Sequence, residues 1–345
     1  MKKNIHNLIK YHKTLFLPDI STFFNDDITL ALKMVDQLAD AGIPVIKGEV
    51  LHDAEICLKS DIFEKYYSPL KNEMIEENLR SVIERKVVSL DSYARIFDHI
   101  RKHNCGLVVS VYDNTGVDFA IDQDVVAIKV ASSNITHQPL LEYVAKTNTT
   151  IILDTGHSTF EEISRAVNWL NDAGKSDIII QHSPLPPPTH ISEHNLKFMQ
   201  TLGRCFQLPY GLSDHHSGDE MIFAATALGA CIVEKGVCPD ETGDDQDRAH
   251  ALNISEAKTV QLKVNNIAQG LGEGVRQLKR RREKYHSRMG LIAKQDIKKG
   301  DILTLENIGF AFPPIGLGVE HIEIILGKSA QKSILKGQPI LFSDL

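Results

Sequence analysis

The chain has 345 residues, 42% hydrophobic and 24% charged, ordinary globular usage that excludes a disordered, collagenous or coiled-coil protein. Its 38 Lys plus Arg stand against 45 Asp plus Glu, a net charge of -7, so no overall attraction draws it to nucleic acid or to an anionic membrane. The 5 cysteines (Cys57, Cys105, Cys205, Cys231, Cys238) include no C-x-x-C pair, as expected of reduced thiols in a cytosolic protein.

The N-terminal MKKNIHNLIKYHK lacks the apolar stretch of a secretory signal, and no apolar run approaches the ~20 residues of a membrane span. A cytoplasmic location is expected. In chain order, short runs rich in Val and Ile fall at 15–21, 44–50, 106–112, 125–131, 150–154, 177–182, 209–213 and 231–236. Each is followed by a helix-like segment, so the pattern predicts an α/β fold, a closed (β/α)₈ TIM barrel. An open doubly wound sheet is the alternative.

Among the helical segments, 29–38 carries apolar residues at 3–4 spacing and stops at Ala41-Gly42, a helix-ending pair. Ser158-Thr159 ahead of Glu161-Glu162 predicts a capped helix that ends near Gly174. The stretch 60–85 exceeds a standard barrel loop and reads as an insertion, a lid or a helical excursion. Boundaries are expected at 1–275 for the barrel, 276–288 for a basic linker and 289–345 for a small β-rich domain. The run Gln277-Leu278-Lys279-Arg280-Arg281-Arg282 reads as a solvated helix or a contact with an acidic partner surface.

Chemistry in such a barrel is expected where the strands end. Asp19, Lys47, Lys129, Ser132, Asp154, His182, Ser213, Asp214, His215, Glu234 and Asp240 fall there. Two lysines at the ends of apolar strands suit a phosphate or a carboxylate, and the Ser213-Asp214-His215-His216 turn offers a hydroxyl, a carboxylate and imidazoles for acid–base work or a divalent metal.

The order Leu17-Pro18-Asp19-Ile20, Ala41-Gly42-Ile43-Pro44-Val45-Ile46-Lys47, Ile128-Lys129-Val130-Ala131-Ser132-Ser133-Asn134, Ile151-Ile152-Leu153-Asp154-Thr155-Gly156, Gly211-Leu212-Ser213-Asp214-His215 and Ala230-Cys231-Ile232-Val233-Glu234 resembles the sialic acid synthase family over nearly the whole chain. Ile297-Lys298-Lys299-Gly300-Asp301-Ile302-Leu303 and Leu326-Gly327-Lys328 resemble its C-terminal antifreeze-like (SAF) domain. The resemblance implies a transferase that condenses phosphoenolpyruvate with an N-acylated amino sugar, giving a nonulosonic acid for surface polysaccharide or glycan biosynthesis, with Mn²⁺ or Mg²⁺ as cofactor. It implies that Lys47, Lys129, Ser132 and Ser213 bind phosphoenolpyruvate, that Asp19, Lys129 and Asp247 are catalytic, that Asn134 and Asp247 meet the sugar, and that His215 is a metal ligand. A domain-swapped homodimer is implied as well.

Several positions depart from the family pattern. Gly236 stands where a second metal-binding His is usual, Asn134 replaces an acid, Asp19 a glutamate longer by one methylene, Asp154 a serine, Val111 a threonine, and Phe312-Pro313-Pro314 an arginine. Cys238, Asp240 and His216 are the substitutes at hand for the missing ligand. Three readings stay open: a divergent synthase, a metal-independent lyase or aldolase in which Lys129 forms a Schiff base, and a non-catalytic paralogue that binds a sugar acid or a partner subunit.

Overall fold

The computed structural model describes residues 4–184, 188–240, 245–275 and 286–345. They form two compact units that divide between Gly272 and Glu273. Most of the predicted basic linker, 276–285, lies outside the described residues.

In the larger unit a first helix, α1 (Ile5–His12), precedes β1 (Leu15–Asp19), α2 (Ile28–Asp40) and β2 (Val45–Glu49). An inserted hairpin, β3 (Phe63–Ser68) and β4 (Glu73–Asn78), leads into α3 (Leu79–Lys86) and α4 (Leu90–Lys102). Regular alternation then resumes: β5 (Gly106–Val111), α5 (Asn114–Asp122), β6 (Ala127–Val130), α6 (Gln138–Ala145), β7 (Thr150–Asp154), α7 (Phe160–Asp172) and β8 (Ile178–His182). The circuit finishes with α8 (Lys197–Phe206), β9 (Tyr210–Asp214), α9 (Glu220–Ala227), β10 (Ile232–Cys238), β11 (Leu252–Asn253) and α10 (Ala257–Gly270). Strands β1, β2 and β5 to β10 pair in parallel, and β1 pairs with β10, so the sheet closes into an eight-stranded barrel. The open-sheet alternative is thereby excluded. The insertion is a hairpin plus a helix, not a helical excursion alone; the alternation of Phe63, Lys65 and Tyr67 with Glu64, Tyr66 and Ser68 carries too little apolar contrast to announce a strand.

Local signals explain the helix ends. Asp27 accepts from the Leu30 amide at the start of α2, and Gly42 follows its end at φ +77°, a left-handed conformation that glycine adopts without penalty. Thr159 and Glu162 form a reciprocal capping box at the start of α7.

Side-chain alternation along each strand then separates two environments. Phe16, Ile46, Ile128, Ile151 and Ile180 pack against the surrounding helices. Leu15, Leu17, Val45, Val108, Ile152, Ile179 and Ile232 point to the barrel axis and fill its N-terminal half, where Ile5 of α1 joins them. Two residues further along several of these strands stand Asp19, Lys47, Ser110, Asp154, Gln181 and Glu234. The same inward faces that begin apolar therefore end polar, all at one mouth of the barrel.

The smaller unit pairs β12 (Gly290–Ala293) with β13 (Ile308–Ala311), antiparallel, and adds a short helix, α11 (Ile322–Ile325). Isolated bridges such as Ile292 with Pro339 and Ile297 with Ile334 supply the rest of its pairing. Leu291, Leu303, Ile308, Ile325 and Ile340 form its core. Among the described residues no helix is long and apolar enough to cross a membrane.

Candidate active site

A cavity of about 190 Å³ opens at the C-terminal mouth of the barrel and gathers Asp19, Lys47, Lys129, Ser132, Asp154, Ser213, Asp214, His215, Glu234, Gly236 and Asp247. A larger groove, about 850 Å³, lies beside Thr150 at the start of β7, the opposite end of the strands. It collects none of the polar residues gathered at the C-terminal mouth.

The two lysines meet at one carboxylate. Lys47 Nζ lies 2.5 Å from Asp19 Oδ2 and 3.5 Å from Glu234 Oε1. Lys129 Nζ lies 2.7 Å from both Glu234 Oε1 and Asp154 Oδ2 and donates to Ser213 Oγ at 3.2 Å. Burial by itself would lower both ammonium pKa values, but the facing carboxylates outweigh it and raise them. For Glu234, burial works upward, and Lys129 and Lys47 overturn it, holding the carboxyl down at about 2. Asp19 goes the other way: burial, with Glu234 and Glu49 near, raises it to about 6 despite Lys47. A charged Lys129 locked between two carboxylates is no nucleophile, which counts against the Schiff-base reading.

Asp154 replaces a phosphate-contacting serine in the resemblance, and the structure pairs it directly with Lys129. Around the two lysines stand four carboxylates, since Glu49 also lines the cavity. Glu49 accepts from Ser21 Oγ at 3.0 Å and from the Tyr112 hydroxyl at 2.8 Å.

Other expected residues lie elsewhere. His182 faces outward, its Nε2 within 2.8 Å of the His194 carbonyl. Asp214 does line the cavity, but its carboxylate is engaged by Lys235 at 2.8 Å and by His194 at 3.1 Å. Asp240 is exposed and bonded to Ser255. Asn134 is not in the catalytic cavity; it lines an adjoining groove that shares Tyr112.

No substitute expected for the missing metal ligand stands at Gly236. Cys238 donates to the Leu252 carbonyl, and His216 turns to the Thr189 carbonyl and Glu220. A Cβ on Gly236 would meet the Phe23 ring at 3.4 Å and the Ala251 Cβ at 3.6 Å, ordinary van der Waals contacts. The structure presents His250 instead, carried on the turn after β10. Its ring centroid lies 5.1 Å from that of His215. It is buried, and its Nδ1 has no hydrogen-bond partner among the described residues, while its Nε2 faces Asp247 Oδ1 at 3.7 Å. His215 Nδ1 sits 3.4 Å from Ser183 Oγ. Burial lowers both imidazole pKa values, that of His250 to about 3. Two neutral imidazoles, each with one nitrogen turned to an oxygen group and the other unpaired among the described residues, fit a divalent ion. Among the described residues, the group of three metal-capable side chains whose ligand atoms lie within 4.8 Å of one another is a different one, Asp36 with His99 and His103 on the outer helices α2 and α4.

Glu49, Ser110, Tyr112 and Ser183 were legible in principle, because each lies two residues from an inward-pointing position on its strand. Lys86 and His250 carried no such signal. Lys86 of α3, buried, reaches Asp245 at 3.1 Å and Asp247 at 3.3 Å, and only the tertiary fold reveals it.

The model of the NeuB family matches residues 34–276, and that of the SAF domain residues 288–345. The chain belongs to the NeuB family. Among relatives, it is 31% identical to the N,N'-diacetyllegionaminic acid synthase of Campylobacter jejuni, over 93% of this chain and 97% of the relative. It is 26% identical to the pseudaminic acid synthase of Helicobacter pylori, over 95% and 96%. Among solved structures, a putative spore coat polysaccharide biosynthesis protein E from Chromobacterium violaceum superposes with TM-score 0.74 at 20% identity, over 96% of this chain and 99% of that one. The N-acetylneuraminic acid synthetase of Leptospira borgpetersenii, in complex with citrate, gives 0.67 at 23%, over 77% and 87%. These likenesses support the NeuB barrel and SAF module as the frame in which the site residues are read.

Proposed function

We propose that this NeuB-family protein condenses phosphoenolpyruvate with an N-acylated amino sugar to give a nonulosonic acid and inorganic phosphate. The observation that carries the reading is the convergence of Lys47 and Lys129 on Glu234 at the mouth of the barrel. In the reaction, C3 of phosphoenolpyruvate bonds to the sugar aldehyde carbon, water adds at C2, and the C2–O bond to phosphate breaks. The water gives up both protons, one to the aldehyde oxygen and one to the departing phosphate, and its oxygen becomes the C2 keto oxygen.

The chain supplies charge and proton handling for these events. Lys47 and Lys129 pair with the carboxylate and phosphate of the substrate, with Ser132 and Ser213 donating hydroxyl hydrogen bonds. An incoming anion displaces part of the lysines' contact with Asp19 and Asp154. Asp19, whose raised pKa lies near neutrality, holds or releases a proton at its carboxyl oxygen as the aldehyde oxygen changes charge. Asp247 is held charged: burial opposes ionisation, and the Lys86 ammonium outweighs it. It accepts a hydrogen bond from the sugar or from the water.

A divalent ion, Mn²⁺ or Mg²⁺, would rest on the imidazoles of His215 and His250. It would supply Lewis acidity to a carbonyl or a water. Its charge would also offset the excess of carboxylates over lysines, which otherwise repels a phosphate ester. Calorimetric titration tests this assignment: Mn²⁺ affinity should fall at least tenfold in His250→Ala, and an unchanged affinity removes His250 from the ion.

The family's small domain is read here as covering a partner's barrel in a C₂ dimer. Exposed apolar side chains on the small unit, Phe310, Phe312, Ile315 and Phe342, support an interface. Titration of phosphoenolpyruvate into the protein with Mn²⁺ present should give one site per chain, lost in Lys129→Ala. Wild-type protein that gives no binding heat and no competition by phosphate overturns the reading.

A further inference from the structure

Far from the mouth, two neighbouring helices turn three metal-capable side chains to one point. Helices α2 and α4 pack against each other, each burying an apolar face, Met34, Val35 and Leu38 on the first and Ile96, Phe97 and Ile100 on the second. Both return from the mouth, so their C-terminal ends lie at the base of the barrel, where the strands begin. There His99 Nε2 and His103 Nε2 both meet Asp36 Oδ1, each at 2.7 Å.

The backbone prepares this convergence. His99 sits in the last turn of α4 and His103 at its C-cap, and a four-residue spacing sets two side chains next to each other on one helix face. Their rings meet edge to face, centroids 4.9 Å apart at 84°. A neutral imidazole carries its proton on either nitrogen; moved to Nδ1, it leaves the Nε2 lone pair free as a ligand. Metal–ligand bonds of about 2.0–2.1 Å place two ligand atoms of one tetrahedral ion roughly 3.3 Å apart, so the hydrogen-bonded contacts need open by less than an ångström. Slight burial works upward on the Asp36 pKa, and the hydrogen bonds from His99 and His103 overturn it and hold the carboxyl down, in the charged form that a cation needs. A helix C-terminus favours positive charge, and the nearby Arg101 and Lys102 are both paired with Asp98.

We propose that Asp36, His99 and His103 form a further metal site, for a late first-row transition ion of the Zn²⁺ class, which clips α2 to α4 at the base of the barrel. Two imidazoles and one carboxylate suit Zn²⁺, whereas Mg²⁺ and Ca²⁺ prefer oxygen sets and Mn²⁺ stands low in the affinity order. The Asp36 side chain is half exposed and the two rings partly so, which admits the ion from solvent and leaves water for its remaining position. The clip ties together the two ends of the chain segment that contains the inserted hairpin. An ion bound only by the folded chain stabilises it by mass action. The site is independent of the condensation reading, and its failure leaves that reading untouched.

The test titrates Zn²⁺ by calorimetry into His215→Ala, in which the mouth has lost an imidazole, and into the same protein carrying His99→Gln and His103→Gln. The first should bind one Zn²⁺ per chain with its melting temperature raised, and the second should lose both effects; Mg²⁺ should produce neither. Asp36→Asn keeps an acceptor for the two rings but is a poorer ligand, and in the His215→Ala protein it should weaken Zn²⁺ binding at least tenfold. Melts of the metal-free proteins check that each variant folds. Should His215→Ala itself fail to fold, anomalous diffraction at the zinc edge from the wild-type protein reads the same site, with a peak expected between Asp36 and the two rings. Zn²⁺ binding that survives the His99 and His103 substitutions, no binding at all, or a zinc-edge map without that peak overturns the proposal.

Discussion

Lys129 gathers Asp154, Ser213 and Glu234 around one ammonium, and Asp19 is the group this cluster strains most. Its folded pKa of about 6 lies above its ordinary 3.8, so the native state binds the proton more tightly than the unfolded chain. Stability should therefore fall as pH rises from about 4 through 6, the sign that follows when the folded form holds more protons. Asp19→Asn removes that penalty. Thermal melts at pH 7.5 should show the variant as stable as wild type or more so, while turnover drops; a clear loss of melting temperature contradicts this account of Asp19. A Cβ at Gly236 makes only ordinary contact with Phe23 and Ala251, so Gly236→His can place an imidazole there. Mn²⁺ affinity should rise in the single variant, and an unchanged affinity would mean that the added ring does not reach the ion. At this scale the sequence identified the residues whose chemistry is tied to strand ends, Lys47, Lys129, Ser213 and His215. His182 lies outside the cavity, because a one-residue change of parity turns a side chain from the mouth to the helix layer, whereas Asp214 lines the cavity with its carboxylate taken by Lys235.

Among the elements, the eight barrel strands were legible because each is a buried β-branched run between helical patterns, as at 106–112 and 150–154. The insertion was legible as an insertion, but its hairpin was not. Its strands mix apolar and polar residues without a clean alternation, and its contribution appears in contacts, Arg80 with Glu55 and Glu84 and Lys86 with Asp245 and Asp247. Lys86 fastens α3 to the turn that carries Asp247 and, two residues beyond the start of its short helix, His250. Removing it leaves Asp245 and Asp247 facing each other inside the protein, and losing one partner of a buried pair costs about 3–5 kcal/mol. Lys86→Met should lower urea-unfolding stability by a few kcal/mol, roughly in that range, and weaken Mn²⁺ binding. Unaltered stability would mean that the insertion does not brace the site.

For the whole molecule, length and composition anticipated a large unit followed by a small one, and the net charge of -7 carried no information about a substrate anion. The relevant positive charge is two lysines inside a ring of carboxylates, invisible to a sum over the chain. The small unit keeps its own core but leaves Phe310, Phe312 and Phe342 at least half exposed, more apolar surface than so small a module ordinarily shows. Multi-angle light scattering should return a dimer, and a monomer across the micromolar range removes the domain-swapped assembly. The central claim, that the barrel joins phosphoenolpyruvate to an amino sugar, is tested most directly by mass spectrometry of the product. Incubated with phosphoenolpyruvate, Mn²⁺ and a panel of N-acylated amino hexoses, the protein should convert one of them to a product heavier by one pyruvate unit, with one phosphate released per product and none in Lys129→Ala. Phosphate release with no new carbon–carbon bonded product, or no consumption of phosphoenolpyruvate with any sugar of the panel, would contradict it.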